Sequence, residues 1–102
     1  MTTNAQAEAR IATPQAARYL VQLCKHFQHK CPVTLEANTG RIGFSIGDCR
    51  LLASDGMLHL SLDAPDTTQL RQVQAVVARH LRRFAFREDL RIDWHAAPAA
   101  AA

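Results

Sequence analysis

Cysteines and histidines alternate within one short segment of this chain, and their spacing suggests metal chemistry. The segment CKHFQHKC, residues 24–31, encloses His26 and His29 between Cys24 and Cys31. Thiolate sulfur and imidazole nitrogen are the ligands that Zn²⁺ prefers, and four of them around one ion would form a structural zinc site. Whether these side chains can converge depends on the secondary structure that carries them.

The surrounding sequence predicts a helix over about residues 14–30, which ends because Pro32 disfavours helical backbone at the residue before it. A helix advances about 100° per residue, so the two cysteines fall on its apolar stripe and the two histidines on its polar side. Ligands on opposite sides cannot converge on one ion. The cysteines also lie about 10 Å apart along the helix, beyond the disulfide limit of about 7 Å. We therefore predict that they, and Cys49 in a later strand, are reduced core residues.

The polar sides of two helices hold the candidate ligand-binding residues. A second helix is predicted from an N-cap at Asp66, with Gln69 three positions later, to about Phe84. Its outer side is basic, and His80 lies at the edge of its apolar stripe. A protonated histidine pair among lysines and arginines would suit an anion. The candidates are Lys25, His26, His29, His80, Arg83 and Arg87.

Plainer interpretations of the same residues stay open. His26 and His29 can belong to a solvated polar face, and His80 can be a boundary histidine with a hydrogen-bond partner. In the sharper interpretation, His80 lies at the groove between the helices and faces the histidines of the first helix. A metal site built from these three histidines is a weaker hypothesis, and we assign no metal ligand and no cofactor.

The sequence lacks an HExxH motif, a glycine-rich phosphate loop and a nucleophile–base–orienter set, so we expect a non-enzymatic protein. Glu88 and Asp89 lie beside Arg87, and we expect them to form ion pairs with it.

The order of predicted elements is β-α-β-β-β-β-α-β, which favours an α+β fold: a two-layer sandwich with two helices on one face of an antiparallel sheet. The first strand covers about residues 8–13, and Thr13 with Pro14 would start the first helix as N-cap and first helical residue. Leu90, Ile92 and Trp94 alternate with polar residues and predict the last strand. This element order is similar to that of one half of the TATA-binding protein fold, an analogy that implies no DNA binding.

Three two-residue turns set the predicted register of the four-strand meander. Asp55-Gly56 is the strongest hairpin signal, and it places Ala53 opposite Leu58. Turns at Gly47-Asp48 and Thr39-Gly40 would then place one alternating set of apolar residues on one face of the meander. The opposite face would be open, polar with scattered apolar residues, and we keep a homodimer through it as a hypothesis.

Composition and charge limit the remaining choices. The chain has 102 residues and a net charge of +3, which is modest for a nucleic-acid-binding protein. It lacks an apolar run long enough to span a membrane and an apolar signal region near its first residue, so we expect a cytoplasmic location. We predict a single α+β domain over residues 7–95, with disordered ends at residues 1–6 and 96–102.

Two long segments, TPQAARYLVQLCKHFQHK and HLRRFAFREDLRIDW, carry a family resemblance. The chain from about residue 9 to residue 94 resembles a family of small bacterial domains of unknown function, the 2218 family. The matching positions are Tyr19, Cys24, Lys25, His26, His29, Lys30, His80, Arg83, Phe84, Phe86, Arg87 and Trp94. The second and third cysteines depart from the family pattern, which further weakens a cysteine-based metal site.

The resemblance implies a function class. Family members occur alone or fused to siderophore-interacting flavoproteins, which implies an accessory or binding domain linked to iron–siderophore handling. The partner would be a siderophore-interacting reductase or a small anionic ligand. The alternative is a nucleic-acid-binding or metal-binding module that uses the basic and histidine-bearing helix surface, with nucleic acid disfavoured by the small excess of positive charge.

Overall fold

The computed structural model describes residues 4–96 and contains a six-stranded sheet, whose three eight-residue strands alternate more and less buried residues. Two amphipathic helices bury their apolar stripes against it. The elements in chain order are β1 (Ala5–Ala12), α1 (Ala16–Phe27), β2 (Val33–Glu36), β3 (Thr39–Phe44), β4 (Gly47–Ser54), β5 (Met57–Ala64), α2 (Thr67–Phe84) and β6 (His95–Ala96). The predicted α+β sandwich is confirmed.

The strand order in the sheet is β2-β3-β4-β5-β1-β6, and every pairing is antiparallel. The chain therefore returns to β1 after the meander, because β5 pairs along the whole of β1, from Ala5 opposite Ala64 to Ala12 opposite Met57. The inward-facing strand residues pack with the apolar stripes of both helices in one core. This arrangement leaves the outer flank of the helices and the other face of the sheet as the two broad surfaces.

Strand ends differ from the predicted boundaries. The last strand, predicted over residues 90–95, is shorter and lies later in the chain: only His95 and Ala96 pair with β1, and residues 90–94 do not form a strand. The apolar alternation over residues 90–94 reflects packing instead of strand pairing: Leu90 is buried, and Ile92 and Trp94 are partly buried against the core. Because β1 begins at Ala5 and β6 ends at Ala96, strands reach into both segments predicted as disordered. Residues 1–3 and 97–102 of those segments lie outside the described part of the chain.

One of the three predicted turns is confirmed and two are misplaced. Asp55 and Gly56 both have positive φ, as a tight hairpin turn requires, and Ala53 lies opposite Leu58. The other two turns fall at residues 37–38 and 45–46, each two residues before the predicted position. An even shift leaves each side chain on its predicted face, so the apolar face of the meander is correct although its pairing was not.

The glycines that suggested the misplaced turns lie in strands beneath the helices. A Cβ atom at Gly40 would stand 2.6 Å from the Cys24 Sγ of α1. One at Gly47 would stand 2.6 Å from the Asp63 backbone oxygen and 3.1 Å from Val73 Cγ2 of α2. At Gly40 the close approach of α1 to the sheet requires glycine. At Gly47 the backbone of the neighbouring strand, the side chain of Val73 and a positive φ of 159° together require it.

The two helices start differently. The Asp66 side chain accepts a hydrogen bond of 2.8 Å from the Gln69 backbone N–H, which confirms the predicted N-cap of α2. Thr13 does not cap α1, which begins later than predicted, after a turn at residues 14–15. The Thr13 hydroxyl instead accepts from the Gln15 N–H at 3.1 Å and donates to Glu88, a residue beyond the end of α2.

Candidate functional site

The three free cysteines lie apart from the exposed histidines. Cys24 and Cys49 are fully buried, and burial raises the pKa of both thiols. Cys31 is half-buried and packs against the core. His26 and His29, by contrast, are exposed. The structure therefore agrees with the prediction that Cys24, His26, His29 and Cys31 do not bind one zinc ion together.

A histidine of each helix meets the other across the interhelical groove. The ring centroids of His26 in α1 and His80 in α2 are 4.7 Å apart. The His80 Nδ1 lies 2.8 Å from the Val76 carbonyl oxygen. Because a carbonyl can only accept, Nδ1 carries a proton and donates it. Both interpretations of His80 hold, since it is a half-buried histidine with a hydrogen-bond partner and it faces the histidine of α1.

Aromatic rings hold the two histidines in place. The His26 ring meets Phe27 edge-on at 4.8 Å between centroids and Phe84 at 5.7 Å. Phe27 in turn contacts His80 and Phe44, each at 4.9 Å. Such edge-to-face contacts stabilise a fixed ring geometry. We call the set formed by His26, Phe27, His80 and Phe84 the histidine cluster.

The electrostatic environment of the histidine cluster is positive. Loss of hydration lowers the pKa of His26, and nearby cationic groups lower it further: His80, Lys30, Arg83 and His29. Each of these groups lowers the pKa because protonation of His26 would place another positive charge next to it. A bound anion would have the opposite effect on the pKa of His26, so this environment favours negatively charged ligands.

Two of the predicted candidates do not join the contacts of the histidine cluster. Lys25 and His29 are exposed, and neither takes part in the ring contacts or hydrogen bonds among the described residues. Within residues 4–96, no three histidine, cysteine, aspartate or glutamate side chains are grouped closely enough to hold a metal ion. The weaker hypothesis of a metal site at His26, His29 and His80 stays a prediction.

A cleft of about 550 Å³ opens next to the histidine cluster, where the start of α1 meets the segment that follows α2. It contains the predicted candidate Arg87 and shares Phe84 with the cluster, so the two features are continuous. We call it the arginine cleft, and its lining residues are Pro14, Gln15, Arg18, Tyr19, Phe84, Phe86, Arg87 and Glu88.

Hydroxyl groups, rather than arginine, hold the carboxylate of the arginine cleft. The Thr13 hydroxyl lies 2.8 Å from Glu88 Oε1 and 3.1 Å from Oε2, and the buried Tyr19 hydroxyl donates to Oε2. Burial raises the pKa of Tyr19, and the hydrogen bond and charge of Glu88 raise it further, so the phenol stays protonated. The expected ion pair between Glu88 and Arg87 is therefore wrong. Among the described residues, ion pairs join Arg41 to Asp48 and Arg91 to Asp93.

Phe86 is the most exposed large apolar side chain of the described residues, at 76% of its full accessible surface. The Arg87 guanidinium carbon lies 5.4 Å from the centroid of its ring. An exposed aromatic ring beside a guanidinium without a carboxylate partner is typical of a recognition site, since both groups gain when a ligand removes them from water.

Sequence reasoning missed Arg18, Tyr19 and Glu88 as site residues. By helical periodicity Arg18 falls on the polar side of α1, and Tyr19 stands out only as a position of the family motif. Glu88 was expected to pair with its neighbour. A tyrosine at the edge of an apolar stripe was the available signal, because a buried phenol requires a hydrogen-bond partner. The partner itself lies 69 residues away and was not predictable from local pattern.

Comparison with known proteins shows a family whose description names no activity, and a similar solved structure. A family described as an uncharacterized protein conserved in bacteria (DUF2218) matches residues 8–95. The fold is similar to the NMR structure of PA4090 from Pseudomonas aeruginosa, with a TM-score of 0.72 and 39% sequence identity over 97% of this chain and 99% of that one. No curated protein matches the chain. None of the helices in residues 4–96 is long and apolar enough to cross a membrane.

Proposed function

Given that the chain belongs to the bacterial family DUF2218, whose description names no activity, we propose that it is a non-enzymatic module that binds a small anionic ligand. The site is the arginine cleft together with the adjoining histidine cluster. The observation that carries the proposal is the pair Arg18 and Arg87, which line one cleft without a carboxylate partner among the described residues.

Charge supports an anion rather than a neutral or cationic ligand. Two guanidinium groups line the arginine cleft, and Arg83 and Lys30 act on the neighbouring His26. The one carboxylate that lines the cleft, Glu88, is held by two hydroxyl donors. Guanidinium binds carboxylate or phosphate oxygens in a planar, two-pronged geometry, which combines attraction with orientation.

The side chains that could take part in catalysis are protonated or already hydrogen-bonded, and this supports a binding role. Burial keeps the thiols of Cys24 and Cys49 protonated, whereas a nucleophilic cysteine needs a thiolate. The Tyr19 phenol is committed to Glu88, and the Nδ1 of His80 is committed to a backbone carbonyl. These side chains therefore fix the shape of the site.

Iron–siderophore handling is the more specific form of this proposal. It rests on the resemblance of the sequence to domains that occur with siderophore-interacting flavoproteins. Ferric siderophore complexes that carry negative charge would suit the two arginines, and a siderophore-interacting reductase would be the partner. The observed geometry supports an anion without selecting this one.

The homodimer through the open sheet face stays a prediction. On that face Leu52 is 39% exposed and lies opposite His59, with Arg50 on the same strand as Leu52. Sedimentation velocity of the wild-type chain and of Leu52→Glu would test it. A concentration-dependent dimer that the substitution dissociates is the expected result, and a monomer at all concentrations would contradict it.

Calorimetric titration with ferric siderophores tests the specific proposal. Carboxylate, catecholate and hydroxamate complexes are each added to the wild-type chain, to Arg18→Gln and to Arg87→Gln. We expect at least one negatively charged complex to bind, with affinity reduced about tenfold by either substitution, as for the loss of a charged hydrogen bond.

Arg50→Gln is the matched control, because it removes the same charge from the opposite face of the sheet and should leave affinity unchanged. If none of the complexes produced a binding heat, the proposal of siderophore handling would be ruled out. Equal weakening by Arg50→Gln would show that overall charge, rather than the arginine cleft, governs binding.

A further inference from the structure

We infer that the anion bound in the arginine cleft is an aromatic carboxylate, with its ring against Phe86 and its carboxylate on Arg18 and Arg87. The inference rests on the proposed anion-binding function and adds the chemical class of the ligand. It derives from the juxtaposition of an exposed aromatic ring and two guanidinium groups within one cleft.

Phe86 is much more exposed than the other large apolar side chains of the described residues, and this exposure requires an explanation. The other exposed large apolar side chains of the described residues, Leu35 and Leu52, are 38% and 39% exposed, about half of the 76% of Phe86. Both lie in strands and keep most of their surface covered. Phe86 lies in the segment after α2 and lines the cleft. A flat apolar ligand surface would cover the ring and remove it from water.

The guanidinium of Arg87 places the anionic group next to this ring. Its central carbon lies 5.4 Å from the Phe86 ring centroid, so a ligand held by the guanidinium has its next atoms close to the ring. In an aromatic carboxylate the ring and the carboxylate are directly attached. Such a ligand would place its ring on Phe86 and its carboxylate on Arg87 at the same time. An anion without a ring would contact only the arginine.

Arg18 and Phe84 complete the site on its other sides. Arg18 belongs to α1, so a carboxylate between the two arginines would contact both the first helix and the segment after the second. Phe84 lines the same cleft and also packs against His26. The cleft volume of about 550 Å³ lies within the range of small-molecule sites, roughly 300–1,000 Å³.

Glu88 does not prevent an anion from binding here. Its carboxylate accepts hydrogen bonds from Thr13 and Tyr19, so its oxygens are already engaged within the protein. With one carboxylate and two guanidinium groups, the lining of the arginine cleft carries a net positive charge. The carboxylate of the ligand would lie toward the arginines, where attraction is strongest.

Affinity measurements with three simple anions test the inference. Benzoate, acetate and inorganic phosphate are titrated into ¹⁵N-labelled protein, and dissociation constants are obtained from amide chemical shifts. We expect benzoate to bind at least tenfold more tightly than acetate or phosphate. Phe86→Ala should weaken benzoate at least fivefold and leave acetate and phosphate unchanged, whereas Arg87→Gln should weaken all three.

The outcomes separate this inference from the proposed function. Equal affinity for all three anions, each weakened by Arg87→Gln, would overturn the aromatic ligand and leave anion binding in place. Absence of binding by all three would overturn both. Leu52→Ala, which truncates an exposed side chain on the open face of the sheet, is the matched control for Phe86→Ala and should leave benzoate affinity unchanged. Equal weakening by the two would count against the ring contact.

Discussion

The Tyr19 hydroxyl donates a hydrogen bond to the Glu88 carboxylate across 69 residues of sequence and so joins α1 to the segment after α2. Thr13, at the end of β1, donates to the same carboxylate. One acidic side chain therefore ties a strand end and a helix to the segment that carries Phe86 and Arg87. The arginine cleft owes its shape to this contact.

Tyr19→Phe should destabilise the protein, because it removes a donor from a carboxylate and keeps the ring. Hydrogen bonds to charged groups contribute about 1.5–3 kcal/mol, so we expect the free energy of unfolding to fall by about 1.5 kcal/mol. Urea denaturation measures it. Thr13→Val removes the other donor and should have a similar effect. A loss below about 0.5 kcal/mol for both variants would show that the carboxylate does not tie these elements together.

Gly40→Ala should also destabilise the fold, for a steric reason. The added Cβ would stand 2.6 Å from Cys24 Sγ, and overpacking of a core typically costs about 1–3 kcal/mol. Thermal unfolding followed by circular dichroism gives the loss. Gly43→Ala is the matched control in the same strand, since its Cβ would have 3.6 Å or more to its nearest neighbours.

The cause of the Gly40 effect can be isolated with a double variant. Cys24→Ala removes the sulfur that the new methyl group would meet, so the combination with Gly40→Ala should be less destabilised than the sum of the single changes. Strict additivity would mean that the helix does not approach the sheet at Gly40.

Stability should fall as the pH is lowered through the range in which unfolded histidine titrates. The pKa of His26 in the folded protein is lowered below its usual value near 6.5, so the unfolded chain binds more protons between the two pKa values. The contribution of His26 is therefore complete above about pH 6.5 and is lost progressively below it. Urea midpoints at several pH values measure the slope.

A variant without the imidazole isolates the His26 contribution. His26→Gln should reduce the loss of stability between pH 7 and pH 5, whereas His95→Gln, in β6 and outside the histidine cluster, should leave it unchanged. An unaltered pH slope in His26→Gln would contradict the positive environment described for this ring.

The sequence predicts the faces of the elements more reliably than the contacts between them. The helical stripe of α1 separates Cys24 from His26, and the buried thiol and the exposed imidazole agree with it. In the strands, alternation fixes the apolar face even though two hairpins pair differently from the prediction. Gly40 and Gly47 misled the register because a glycine beneath a helix and a glycine in a turn look alike in a sequence.

In the candidate site too, the sequence predicts the face on which a residue lies better than the residue that it contacts. The edge position of His80 on its helix allowed two interpretations, one of which placed it opposite the histidines of α1, and His26 meets it. The cluster of Thr13, Tyr19 and Glu88 forms only because the start of α1 lies against the end of α2. Tertiary packing sets this crossing, and no local periodicity encodes which carboxylate a buried tyrosine will meet.

Amide chemical-shift mapping with benzoate is the most direct test of anion binding at the outer flank of the helices. We expect the largest, saturable shifts at Arg18, Phe86 and Arg87, with smaller changes at His26 and His80 in the adjoining histidine cluster. Affinity should rise as the pH falls from 8 to 6, because a bound anion favours protonation of His26. Shifts centred on Arg10, Arg50 and His59, which line a cavity on the open face of the sheet, would contradict the account.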